Sequence, residues 1–271
     1  MPLISVCIPV YNGSSYLEEC IRSIKDQRGV DMEIIVSDDH STDGSLEIAK
    51  SMESFAPAAK WKFIRHSENL GMAANWNYCL RMAEGDYVKV MGQDDILYPG
   101  ALASQSDILM KHQNVSIVVS GCDIMRANGK KLFKRPRKRK SGIYLGDEMI
   151  KDCLQKRANL IGEPVTVMAR RSDFEKLGGF SSDQRYYIDL DMWLRLLGIG
   201  DCCVIENSQC AFRVHGKAVS VFSQSDDFNN FDDLPGALNY LTKLSPVRKY
   251  IRETKAQIMK SIRYWTYLAF G

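Results

Sequence analysis

The chain opens on a continuous apolar run and then alternates short apolar stretches with amphipathic ones as far as about residue 120. The short stretches read as strands at 3–10, 33–37, 61–65, 87–91 and 116–120. Between the first two lies a helix with Leu17, Ile21 and Ile24 on one face, the spacing of 3.6 residues per turn. Ser15, with Glu18 three residues on, reads as its capping box. Further helices are expected at 45–52, 72–83 and 101–112. Strands alternating with helices predict a mostly parallel α/β sheet with right-handed crossovers.

After Gly121 the pattern loosens. The segment from Lys130 to Lys140, KKLFKRPRKRK, reads as an exposed loop, because Pro136 and dense like charge oppose regular structure. Helical patterns return at 147–155, at 172–177 behind a second capping box (Ser172/Glu175), and at 190–198. An acidic link at 225–233 leads to a helical tail. The expected organisation is one catalytic α/β domain over 1–220 and a short helical extension over 221–271.

Composition narrows the class. Hydrophobic residues make up 45% and charged residues 25% of 271 positions, an ordinary globular balance. No run approaches the roughly 18 apolar residues that span a bilayer. The N-terminus runs from apolar residues into Tyr11-Asn12-Gly13 and reads as a first strand, not a signal peptide. Eight cysteines without a C-x-x-C pair read as buried thiols in a reducing, cytoplasmic setting. The net charge of +3 is local in origin, since the 130–140 tract alone holds eight basic residues.

Three expected strands end in polar residues: Pro9-Val10-Tyr11-Asn12, then Asp38-Asp39 with Ser41 and Asp43 behind, then Gln93-Asp94-Asp95. Open α/β sheets bind ligands at the carboxyl ends of their strands. Helix capping accounts for Asp43, but two Asp-Asp pairs exceed what capping needs. Hard cations such as Mg²⁺ and Mn²⁺ take one or two carboxylates plus substrate phosphates. There is no G-x-x-x-x-G-K-[ST] loop and no G-x-G-x-x-G after the first strand. The implied ligand is a metal-bridged nucleoside diphosphate.

These residues resemble the family 2 glycosyltransferases of the GT-A fold. The likeness is carried by Val6 to Asn12, Ile34 to Ser45, Asn69-Leu70-Gly71, Gly85-Asp86-Tyr87 and Gln93-Asp94-Asp95. It continues through Gly178-Gly179-Phe180, Ile188 to Leu196 and Phe212-Arg213-Val214-His215-Gly216. The resemblance implies a GT-A-type α/β fold and an inverting transfer of one sugar from a nucleotide-sugar donor, a uridine diphosphate sugar above all. It places Pro9, Tyr11, Asp39, Asn69 and Asp94 on the donor nucleotide, with Asp94 at the ribose. Asp95 would hold the Mn²⁺ or Mg²⁺, and Asp189 would be the general base. Two positions depart from the family: Gln93 stands where many relatives have Asp, and Ile188 replaces the acid before Asp189.

Several residues carry two readings. Asp189 is either the base or a helix cap, and His215 either completes Asp95's metal shell or is structural. Asp191 and Arg195 read as a helix-face pair, and Trp193 as an acceptor floor or core. The basic tract is a solvated loop or a contact with anionic lipid. Nucleic acid is disfavoured because Phe133 is the only aromatic interleaved with its charges. In the tail, Ile251, Ile258, Ile262, Trp265 and Ala269 share a face flanked by Lys255, Lys260 and Arg263, a pattern suited to a membrane interface. The expected acceptor is a glycan or lipid-linked glycan of surface-polysaccharide assembly. The lack of membrane spans and of Q-x-x-R-W argues against a processive synthase. The rival classes are a sugar-phosphate nucleotidyltransferase and a non-catalytic carbohydrate- or membrane-binding module.

Overall fold

Strand β1 (Leu3–Val10) lies at the centre of the first half of the molecule. The computed structural model describes residues 1–215 apart from 57–58, 136–138, 157 and 184–186, so the expected tail helix lies outside the described residues. The β1 run is buried on both faces, as a parallel strand covered by helices on each side must be. On one side it pairs in parallel with β2 (Asp31–Asp38), which carries β3 (Lys60–Arg65) outside it. On the other side it pairs in parallel with β4 (Tyr87–Val90).

Beyond β4 the sheet is mixed. It contains the short β5 (Ile96–Leu97), the long β6 (Val115–Arg126), β7 (Lys131–Lys134), β8 (Gly142–Tyr144), β9 (Val167–Arg170) and the 14-residue β10 (Asp201–Val214). The main order is β3-β2-β1-β4-β9-β6-β10-β5, with β7 added to β6 and β8 to β10. β9 is antiparallel to both of its neighbours, whereas β6 and β10 run parallel along most of their length. Most of the ladder is therefore parallel.

Seven helices cover the sheet among the described residues: α1 (Leu17–Lys25), α2 (Ser45–Ser51), α3 (Met72–Met82), α4 (Ala101–Lys111), α5 (Gly146–Lys156), α6 (Arg171–Lys176) and α7 (Ile188–Leu197). One apolar layer joins Leu17, Ile21 and Ile24 of α1 and Leu102 and Leu109 of α4 to Ile4, Val6 and Ile8 of β1. The opposite layer joins Cys79, Ile150, Leu154 and Trp193 to Cys7, Val88 and Ile117. Burying each such aliphatic side chain contributes about 1.5–3 kcal/mol. All eight cysteines are buried inside these layers, none of them in a disulfide.

Three local expectations are corrected. Neither capping box forms. α1 starts two residues after Ser15, its first turn hangs from the Gly13 carbonyl, and Glu18 pairs with Arg22 at 2.7 Å instead. α6 starts before Ser172, and Glu175 pairs with Arg171. The basic tract is not simply a loop. Residues Lys131–Lys134 form an exposed strand antiparallel to β6, entered through a type I turn that Gly129 closes at φ +79°. Lys131 pairs with Asp123 at 2.6 Å, Arg135 with Glu163, and Arg139 with Asp152 at 2.9 Å. At least three of the tract's cations are thus committed to carboxylates of the domain. No helix among the described residues is long and apolar enough to cross a membrane.

Candidate active site

The loops after β1 and β2 are zipped together by side chains acting on backbone. Asn12, held at φ +49°, donates its N–H to Ser41 Oγ at 2.9 Å and accepts from the Thr42 N–H at 2.9 Å. Gly13 N–H donates to Ser45 Oγ, and Ser14 N–H to Asp43 Oδ2, each at 2.9 Å. Asp43 also accepts from Ser45 N–H at 3.2 Å, so it serves the first turn of α2 as expected and the β1 loop besides. The result is a rigid shelf from which the Tyr11 ring stands half exposed. Pro9 lies in β1, opposite Ser37 of β2.

Asp39 sits at the next strand end, 3% exposed. Its Oδ1 accepts from Leu70 N–H at 2.7 Å and its Oδ2 from Gly71 N–H at 3.0 Å. Asn69 bridges the same corner, its Oδ1 accepting from Gly71 N–H at 3.0 Å. The expected nucleotide residues Asp39 and Asn69 are therefore brought together, with Asp39 tying the Asn69–Gly71 loop to the end of β2. Asp38, by contrast, is wholly buried and faces Ser41 N–H and Arg65.

After β4 the chain turns through Gly92-Gln93-Asp94-Asp95. Gln93 does not join the acids. Its amide pairs with the backbone of Tyr11 in both directions, accepting at 2.9 Å and donating at 3.0 Å. Asp94 and Asp95 converge over Gly92. A Cβ placed on Gly92 would lie 2.8 Å from Asp94 Oδ1 and 2.9 Å from Asp95 Oδ2. The two carboxylate oxygens thus share a cradle that only glycine leaves open. Burial, followed by the Asp94 charge, pushes the Asp95 carboxyl well above the ordinary carboxylate range. Two hard oxygen donors in one cradle fit a small divalent cation whose remaining ligands come from substrate phosphates. Among the described residues no cluster of three or more His, Cys, Asp or Glu side chains forms a complete protein cage.

Arg213 and His215 approach this turn from the end of β10. Arg213 is 1% exposed. It donates to Asp94 O at 2.9 Å and Ala127 O at 3.0 Å, and pairs with Glu19 at 2.5 Å. Its N–H donates to Asp95 Oδ1 at 3.2 Å. Arg213 is therefore a bolt for the acidic turn. His215 Nε2 lies 2.8 Å from Asp94 Oδ2, and its ring packs on Tyr16. His215, expected to complete Asp95's metal shell or to be structural, thus stands at the acidic turn, bonded to Asp94.

Asp189 occupies the first turn of α7. Its Oδ1 accepts from Leu190 N–H at 2.7 Å and its Oδ2 from Asn159 Nδ2 at 3.0 Å. Burial, with the neighbouring Glu163 charge, raises its pKa to about 7, against the Leu190 N–H and Arg135, which lower it. A carboxylate that titrates near neutrality is the property a general base needs. Glu163 also raises the pKa of Asp95, so its charge acts on both acidic centres. Asn159 was not singled out in the sequence, and only the fold brings it and Glu163 to Asp189.

The neighbouring candidates are structural. Asp191 pairs with Arg195 at 2.6 Å, both buried, and Arg195 donates to Leu177 O and Gly179 O at 2.8 and 2.7 Å. Trp193 is core, 1% exposed, with its indole N–H on Gly162 O at 3.0 Å.

Residues 5–178 match the family model described as Glycosyl transferase family 2. An uncharacterized protein of Mycobacterium tuberculosis is 36% identical over 213 residues, covering 75% of this chain and 65% of its own length. The chain thus spans just under two thirds of that relative. The abequosyltransferase RfbV of Salmonella typhimurium is 36% identical over 135 residues, 45% of this chain and 38% of that protein. Among solved structures, S. aureus TarS in complex with UDP-GlcNAc superposes with a TM-score of 0.73 at 17% identity, over 93% of this chain and 71% of that one. The mannosyltransferase PcManGT of Pyrobaculum calidifontis, in complex with GDP-Man and Mn²⁺, gives 0.63 at 19% identity, over 98% and 83%. Both likenesses concern the fold, which is of the GT-A type.

Proposed function

The chain belongs to glycosyl transferase family 2, and from that premise we propose that it transfers one sugar, with inversion, from a nucleoside diphosphate sugar to an acceptor hydroxyl. The observation that carries this reading is the meeting of Asp94 Oδ1 and Asp95 Oδ2 over Gly92, with Asp189 poised near neutral pH in the same electrostatic field. The uridine diphosphate donor is favoured by the TarS complex with UDP-GlcNAc.

In this reading the exposed Tyr11 ring stacks on the base, with Pro9 beneath and Asp39 and Asn69 framing the pocket. Asp94, held by His215, receives the ribose. A divalent cation, Mn²⁺ or Mg²⁺, would be held by Asp95 and Asp94, and when bound supplies positive charge against the diphosphate. Asp189 accepts the proton of the attacking hydroxyl as its oxygen bonds to the anomeric carbon. The bond from that carbon to the diphosphate oxygen breaks on the opposite face, and its electron pair leaves with the nucleoside diphosphate. A positioned base of this kind contributes about 10²–10⁴-fold in rate.

The acceptor we propose is a glycan, lipid-linked in surface-polysaccharide assembly, a reading supported by the abequosyltransferase relative. The basic tract and the tail would then meet an anionic membrane surface from the cytoplasmic side. A thermal-shift panel of UDP-, GDP-, CDP- and dTDP-sugars with and without Mn²⁺ tests the donor. Stabilisation by a UDP-sugar that depends on Mn²⁺ supports the reading. Release of pyrophosphate from sugar 1-phosphate and nucleoside triphosphate would instead make the protein a nucleotidyltransferase.

A further inference from the structure

Asp189 rests on a scaffold outside its own helix. The amide of Asn159 uses both of its ends. Its Nδ2 donates to Asp189 Oδ2 at 3.0 Å and to Gly162 O at 3.3 Å. Its Oδ1 accepts from the N–H groups of Ile161 at 3.1 Å and Gly162 at 2.8 Å. One side chain therefore closes the 159–162 turn and reaches the acid. The same turn is pinned again to α7, four residues beyond Asp189, by the Trp193 indole on Gly162 O at 3.0 Å. Two attachments on one helix face leave the turn little freedom relative to the carboxylate.

Glu163 leaves this turn directly. One of its oxygens pairs with Arg135, which lies just past β7, while Oε2 is buried with no hydrogen-bond partner among the described residues. Among the described residues, the groups acting on Asp189 include the Asn159 amide, the Leu190 N–H, its own backbone N–H, Glu163 and Arg135. An N–H donor favours an ionised carboxylate, and a neighbouring carboxylate disfavours it.

Resting on the reading of Asp189 as the base, we propose that the 159–163 turn is its positioning element: Asn159 orients the carboxylate and favours its ionised form, and Glu163, clamped by Arg135, opposes it. This gives the basic tract a role inside the active site through Arg135. It also supplies, from a distant loop, an acid near Asp189 where position 188 holds only isoleucine.

The test is a ¹³C-carboxylate NMR titration of Asp189 in the full-length protein, assigned by its loss in Asp189→Asn. Asn159→Asp keeps an oxygen for the Ile161 and Gly162 N–H groups but replaces the amide donor with a like charge. It should move the Asp189 titration up by about one pH unit or more. Glu163→Gln, nearly the same shape, should move it down. The acid limb of donor turnover should follow in the same two directions. A titration unmoved in either folded variant overturns the proposal. If Asn159→Asp does not fold, Glu163→Gln alone decides it by the same criterion. Failure of the underlying reading looks different: Asp189→Asn would then turn over near the wild-type rate, whereas failure of this proposal leaves Asp189→Asn inactive and the titrations in place.

Discussion

Gln93 and Tyr11, 82 residues apart, hold each other through two opposed hydrogen bonds: the Tyr11 N–H donates to the Gln93 amide oxygen, and the Gln93 amide N–H donates to the Tyr11 carbonyl. Only a side chain that both donates and accepts can do this. The residue that departs from the family's acid is therefore a clamp fixing the Tyr11 shelf against the acidic turn, and the two carboxylates after it remain for the ligand.

Gln93→Glu keeps the shape but loses the donor and sets a carboxylate against the Tyr11 carbonyl. It should cost about 1–3 kcal/mol of stability at neutral pH. Nucleoside diphosphate affinity should weaken with it. Unchanged melting and unchanged affinity would show that the clamp contributes nothing.

Gly92→Ala places a methyl group within 3 Å of Asp94 Oδ1 and Asp95 Oδ2. Mn²⁺ binding in the presence of nucleoside diphosphate should fall at least about 10-fold, while secondary structure by circular dichroism is retained. Wild-type Mn²⁺ affinity in this variant would mean that the cradle is not the cation site.

Stability should carry the signature of Asp189. Its folded pKa of about 7 lies above the ordinary value of 3.8. Between those values the folded state binds more protons than the unfolded one, so this group's contribution falls as pH rises from about 4 to 7. Asp189→Asn removes the cost of a buried charge. It should melt above the wild type at pH 8 and nearly with it at pH 4. Equal melting temperatures at both pH values would place the carboxylate in a solvated, unshifted environment.

Binding to vesicles tests the membrane reading. Each Lys or Arg near an anionic surface contributes about 1 kcal/mol within a Debye length of about 8–10 Å. Partitioning to phosphatidylglycerol vesicles should weaken between low and high salt and on truncation after Arg248. Equal partitioning to neutral and anionic vesicles would remove the electrostatic component.

Much of the first half of the fold was legible because its signals are local. The β1 run is apolar throughout, and Leu17, Ile21 and Ile24 repeat at helical spacing. The strand-end acids are visible for the same reason. β10 was not, because Glu206 to Gln209 and its register shifts near Ile205 and Ser208 break the apolar pattern that marks a strand. The β6–β7 hairpin carried a usable signal, Asn128-Gly129, obscured by the charge that follows it. The false capping boxes show that a correct spacing does not place a helix start when a nearby carbonyl, here Gly13, takes the first N–H groups. Gln93, Asn159 and Arg213 act across 82, 30 and 119 residues, and no local pattern encodes such partners.

The central claim is that Asp189 takes the proton of the attacking hydroxyl, and Asp189→Asn tests it most directly. Asparagine nearly preserves the shape and keeps an oxygen to accept from the Leu190 N–H. Donor affinity by calorimetry and turnover, measured on the same preparation, should separate: near-normal binding of the UDP-sugar with Mn²⁺, and a kcat lower by about 10²-fold or more. A folded Asn variant with wild-type kcat would contradict the account.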